Sequence, residues 1–147
     1  MVFTYGATGG LDLPFQYQTG VALNDAQQVL FNLYNQSSGY QATVYSITNG
    51  TTTAIPLPKH SSCTSNFGNS LNNEGEVLGE TTNCSSSSDY VAWTWTAKGG
   101  LKVLSSELPS NTYESIFPRG VNDAGQVLVT LVTQKGIWDW GILTPAK

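Results

Sequence analysis

One histidine stands in the chain, so a Ser–His–Asp triad or a histidine-based zinc site would have to be built on His60. It lies in PLPKHSSC, with no nucleophile elbow and no second nitrogen ligand at zinc spacing, and is expected to be a solvated loop residue. Glycoside hydrolysis would need two carboxylates facing each other across one bond. Glu74, Glu76, Glu80, Glu107 and Glu114 are available, yet no spacing singles out two of them. Asp25 and Asp123 could ligate calcium if several oxygens converged, as in a D-x-D-x-D-G loop. That loop is missing, and an equivalent position carries Asn73. The expectation is no catalytic set, no metal site and no cofactor. What remains is recognition by loops, in which tyrosine rings stack on a sugar face and polar groups hydrogen-bond it. The candidates are Tyr34, Asn35, Tyr40, Asp89, Tyr90 and Tyr113.

The elements that would carry these loops are written three times. LNDAQQVL at 23–30, LNNEGEVL at 71–78 and VNDAGQVL at 121–128 are near-copies, 48 and then 50 residues apart. Asn and Asp tolerate left-handed backbone and can bond their own chain, and Gly supplies positive φ, so Asn-Asp-x-Gly between apolar residues predicts a hairpin turn. The first copy has Gln27 where the others have Gly75 and Gly125. At positive φ a glutamine carries strain of about 1 kcal/mol, so the first hairpin is expected to depart most from the common shape.

Aromatic stretches follow each octet: QATVY at 41–45, VAWTW at 91–95 and GIWDW at 136–140, with a further VFTY at 2–5. Ala42 to Asn72 and Ala92 to Asn122 are both 30 residues, a repetition that sets the architecture. The aromatic stretches alternate, with Trp93/Trp95 and Trp138/Trp140 each on one face, and all four are expected in the core. Leu-Pro closes at 8–14, 49–58 and 98–109 supply another strand. Residues 25–36 place Val29, Leu30, Leu33 and Tyr34 at helical spacing, but the sibling segments are rich in strand formers, so this copy is read as strand too. The result is one domain, 1–147, with an aromatic strand and then three sets of four, thirteen strands in all.

Charged residues make up 11% of the chain, against about 25% ordinarily, and solubility must rest on Ser, Thr, Asn, Gln and Gly. Six basic residues are scattered at a net charge of −4, which argues against nucleic acid and anionic membrane as partners. No apolar run reaches the ~18 residues of a transmembrane helix, and MVFTYGATGG has neither region of a signal peptide. Folding the chain about the 72–75 turn sets Cys63 opposite Cys84 within one residue of register, so these two are expected to form a disulfide, which implies an oxidising compartment.

Asn-[Asp/Asn]-x-Gly-[Gln/Glu]-Val, an Ala-aromatic-x-Trp strand, Gly-Gly and a Leu-containing close together resemble the probable extracellular HAF-type repeat, most closely in LNNEGEVLGE…YVAWTWTAKGGLKVL. The family's His-Ala-Phe corresponds to Val91-Ala92-Trp93, without the His, and its Gly after the apolar pair survives as Gly79, with Phe31 and Val129 elsewhere. The resemblance implies propeller-blade-like sheets on an exported protein and brings no catalytic residues with it. Three four-stranded antiparallel units of this kind make an incomplete ring, to be closed by oligomerisation or by membership of a longer repeat array, since propellers use about four to eight blades. A β-trefoil or β-prism is the alternative all-β fold. The expected function is an extracellular, non-enzymatic module that binds a glycan or a protein. The alternatives are a structural subunit joined through open strand edges and, behind it, a fragment of a carbohydrate-active enzyme.

Overall fold

A computed structural model describes residues 18–59, 61–86, 90–108 and 112–145. The chain is all-β. The first sheet is β1 (Gln18–Leu23), β2 (Gln28–Asn35), β3 (Gly39–Ser46) and β4 (Thr51–Ala54). The second is β5 (Cys63–Leu71), β6 (Val77–Cys84), β7 (Ala92–Thr96) and β8 (Gly100–Val103), followed by one 3-10 turn at Leu104–Glu107. The third is β9 (Tyr113–Val121), β10 (Val127–Thr133) and β11 (Trp138–Leu143). Each sheet is an antiparallel meander in chain order. The segment with helical spacing forms β2, so tertiary pairing overrides a local pattern. The third unit corrects the expectation of four strands: the Leu-Pro strand follows the aromatic strand within its own sheet, and the last sheet ends on the aromatic strand. The strands expected at 2–5 and 8–14 lie outside the described residues.

The sheets stack face to face in series and, among the described residues, do not close into a ring. Leu30, Ala42 and Val44 of the first sheet meet Leu71, Val77, Trp93 and Trp95 of the second. Leu78 and Ala92 on its other face meet Ile116, Val127, Val129 and Leu131 of the third. Large and small residues complement each other across the second and third strands. Gly79 lies opposite Trp93, Phe31 opposite Thr43, and Val129 opposite Gly141. A Cβ on Gly79 would collide with the Trp93 ring and the Phe67 carbonyl.

The octet turns are alike in all three copies. Asn24 N–H donates to the Gln28 carbonyl at 3.1 Å, Asn72 to Glu76 at 3.0 Å, and Asn122 to Gln126 at 3.1 Å. Gln27 has φ 58°, Gly75 77° and Gly125 72°. The first hairpin therefore does not depart from the others, against expectation. Its left-handed glutamine is held by tertiary contacts: Ile47 N–H donates to the Gln27 carbonyl at 2.9 Å, and the Thr48 hydroxyl reaches Gln27 Oε1 at 3.2 Å.

The turns also stack on one another. Asn24 Nδ2 donates to the Asn72 carbonyl at 2.9 Å and Asn72 Nδ2 to the Asn122 carbonyl at 2.8 Å. Beside them Asp25 N–H donates to Asn73 Oδ1 at 2.9 Å, and Asn73 N–H to Asp123 Oδ1 at 2.8 Å. Every bond runs from one turn to the next, so the ladder has a direction. The repeat is thus more than a bend: its Asn side chains join sheet to sheet.

Two aromatic residues correct the sequence reading. Trp93 and Trp95 are buried, but Trp138 is 64% and Trp140 67% exposed. The tight Thr133–Ile137 turn sets Leu143 opposite Val127, where Tyr45 and Trp95 stand opposite Val29 and Val77 in the other sheets. Trp140 accordingly occupies the place of Ala42 and Ala92, on the face that has no further sheet against it. Cys63 and Cys84 are paired across β5 and β6 and joined by a disulfide, as expected.

Candidate binding groove

The hairpin between β2 and β3 brings Tyr34 opposite Tyr40. Asn35 makes the bend, its Oδ1 accepting from the Ser37 N–H at 2.9 Å and the Ser37 hydroxyl at 2.7 Å. Gly39 then takes φ 86°, and a Cβ there would come within 2.8 Å of Ser65 Cβ, so glycine lets the hairpin tip settle onto the second sheet. Tyr40 N–H donates to Ser65 Oγ at 2.7 Å, and Ser65 Oγ shares a hydrogen with Thr82 Oγ1 at 2.6 Å. This chain fixes the Tyr40 backbone against the neighbouring sheet. The rings follow: Tyr34 and Tyr40 lie 5.2 Å apart, and Tyr40 meets Phe67 edge-on at 5.1 Å.

These side chains line a groove of about 670 Å³, with Gln36, Ser65, Glu80, Thr82 and Asn83 as its polar groups. Glu80 also lines an adjoining groove of about 210 Å³ between the second and third sheets, with Tyr90, Ser115 and Phe117. Phe117 in turn stacks on Trp138 at 5.6 Å. Aromatic faces thus appear on both sides of one carboxyl. Burial pushes the Glu80 carboxyl above its ordinary value of 4.5; a hydrogen bond from the Asn69 side chain and the charge of Arg119 oppose this without cancelling it. Asn69 Oδ1 is buried and has no hydrogen-bond partner.

Chemically, the larger groove offers ring faces for stacking, with hydroxyl, amide and carboxyl groups for hydrogen bonds. Glu80 is the one carboxylate among the described residues that line either groove. Among the described residues no three His, Cys, Asp or Glu side chains converge as metal ligands would. A further cavity of about 490 Å³ mixes Glu76, Lys102 and Glu107 with aliphatic residues and holds no aromatic ring.

Of the sequence candidates, Tyr34 and Tyr40 share the larger groove and Tyr90 lines the smaller. Asn35 shapes the bend beneath Tyr34. Tyr113 is half-buried against the core between the second and third sheets. Asp89, like His60, lies outside the described residues. Phe67, Glu80, Thr82 and Asn83 were not singled out by sequence. Glu80 did carry a signal, as an acid inside the strand segment VLGETTN, where the sibling octets continue with Asn32 and Thr130. Comparison with family models, with curated proteins and with solved structures returned no match.

Proposed function

We propose that this chain is an extracellular, non-enzymatic binding module, and that it takes a hydroxyl-rich glycan in the groove of Tyr34, Tyr40 and Phe67. The observation that carries the reading is the ring cluster itself, in which Tyr40 touches both Tyr34 and Phe67 at the edge of a groove of about 670 Å³ otherwise lined by neutral polar groups and one carboxyl. Sugars present apolar C–H faces bordered by hydroxyls, which suits rings flanked by amide and hydroxyl groups. The Cys63–Cys84 disulfide supports an oxidising compartment. The resemblance to HAF-type repeats agrees with export, and four-stranded meanders stacked in series support a reading as propeller-type blades.

Titration with a panel of neutral oligosaccharides tests the proposal. Tyr40→Ala should weaken binding of the preferred sugar about tenfold or more, the loss of one stacking ring. Trp140→Ala, which removes an exposed ring outside the groove, should leave binding unchanged. Binding lost in Trp140→Ala and kept in Tyr40→Ala would move the site to the third sheet. Binding by neither protein to any sugar would end the glycan reading.

A further inference from the structure

Asn32, Glu80 and Thr130 each stand two residues beyond an octet, and the three differ in chemistry. Gly68 lies opposite Gly79 and Pro118 opposite Val129, so these two hold the same place in β5 and β9. Where the first sheet meets the second, the buried Asn32 amide ties them together. Its Nδ2 donates to the Gly68 carbonyl at 3.0 Å, and its Oδ1 accepts from the Gly68 N–H at 2.8 Å. The next contact cannot repeat this. Pro118 has no N–H to give, and an ionised carboxylate has no hydrogen to offer a carbonyl. Glu80 thus stands at the place of a structural tie with neither half of that tie open to it.

A half-buried carboxyl that joins nothing weakens the fold, and a local rule broken without a structural gain marks a functional position. Glu80 also has accepting capacity left. The Asn69 side chain supplies one hydrogen bond, against about four that a carboxylate can accept. Arg119 acts on the carboxyl by its charge, but its Nε donates to Thr130 Oγ1 at 2.9 Å and so is held to the third sheet. Rings border the carboxyl on two sides. Phe67 is its cross-strand partner in β5, and Tyr90 and Phe117 line the smaller groove with it. An acceptor set among ring faces suits a cation, because an ammonium is all donor and is attracted to those faces. The net charge of −4 favours its approach.

From this we infer that the ligand is an amino sugar, whose free ammonium sits on the Glu80 carboxylate where the two grooves meet. The inference rests on the glycan reading and narrows it to a sugar class. The hydroxylated rings lie along Tyr34 and Tyr40, and the ammonium donates to Glu80 between Phe67 and the rings of the smaller groove. An N-acetylated sugar of the same shape has no charge to place there. Its amide can form a hydrogen bond, but not the stronger charge-assisted one. One feature opposes the contact: Arg119 is a cation near the same carboxyl and competes for it.

Calorimetric titration tests the inference with glucosamine and N-acetylglucosamine oligomers of equal length, at a pH where the amine is protonated. The proteins are wild type, Glu80→Gln, Tyr40→Ala and Arg119→Gln, with circular dichroism to check each fold. Wild type should bind the amino oligomer about tenfold or more tightly than the acetylated one. Glu80→Gln keeps the shape and removes the charge, so its two affinities should agree within about twofold. Tyr40→Ala should weaken both ligands and keep their ratio, which separates stacking from charge. Arg119→Gln should widen the ratio, because the competing cation is gone. A wild type that gains nothing from the amine, or a preference that survives Glu80→Gln, would overturn the inference and leave the glycan reading standing. A lysine peptide that binds through Glu80 while the amino oligomer does not would also overturn it, since the cation would then belong to a protein partner. If wild type binds neither oligomer and no sugar of the neutral panel, both readings fall.

Discussion

Half-buried where two grooves meet, the Glu80 carboxyl loses solvent that its ionised form would otherwise use. Asn69 and Arg119 return part of that stabilisation. The consequence for stability has a definite sign. Between the ordinary value of 4.5 and the raised folded value, the folded chain keeps this proton while the unfolded chain releases it, so stability falls as pH rises through that window. Glu80→Gln should therefore raise the melting temperature at neutral pH and change it little below about pH 4, with a flatter profile between. Thermal melts of both proteins across that range check this; an identical pH profile would mean that burial of the carboxyl has no cost. Tyr34 and Tyr40 were legible in the sequence because they flank a short Gln-Ser-Ser-Gly bend that exposes whatever borders it. Glu80 and Phe67 were not, because their place depends on cross-strand register and on how the second sheet meets its neighbours, neither of which leaves a local pattern.

Among the elements, strand register decides which aromatic residues are core. The pairing of Gly79 with Trp93 lets an indole lie flat on the sheet in the space a side chain would fill. Gly79→Ala should cost about 2–3 kcal/mol, since backbone and ring both crowd the new methyl. Denaturant unfolding measures it, and a change below about 0.5 kcal/mol would show that the ring can move aside. The strands themselves were readable in order from Gln18 to Leu143, as were the hairpins and the disulfide, because turn residues and spacing are local signals. The third aromatic strand was misread for a physical reason. Matching WTW to WDW by letters ignores hairpin length, and the tight turn after β10 moves the pairing by three residues. Trp140 then faces outward, opposite Thr130.

At the scale of the whole molecule, three sheets are held in series by two apolar contacts and by a directional ladder of asparagines. The ladder separates an architectural turn from a purely local one. Asparagine-to-aspartate changes keep the Oδ atom that caps each turn and remove the Nδ2 donor that reaches the next. In dilute, monomeric protein, Asn24→Asp and Asn72→Asp should each lose about 2 kcal/mol, because a buried donor to the next turn is replaced by a charge. Asn122→Asp, whose side chain is exposed and meets no further turn, should stay within about 0.5 kcal/mol of wild type. The most direct measurement is the unfolding free energy of these three variants side by side. Two large losses and one near zero are predicted; three equal values would mean that the octets act as separate bends and that the sheets are joined by their apolar faces alone.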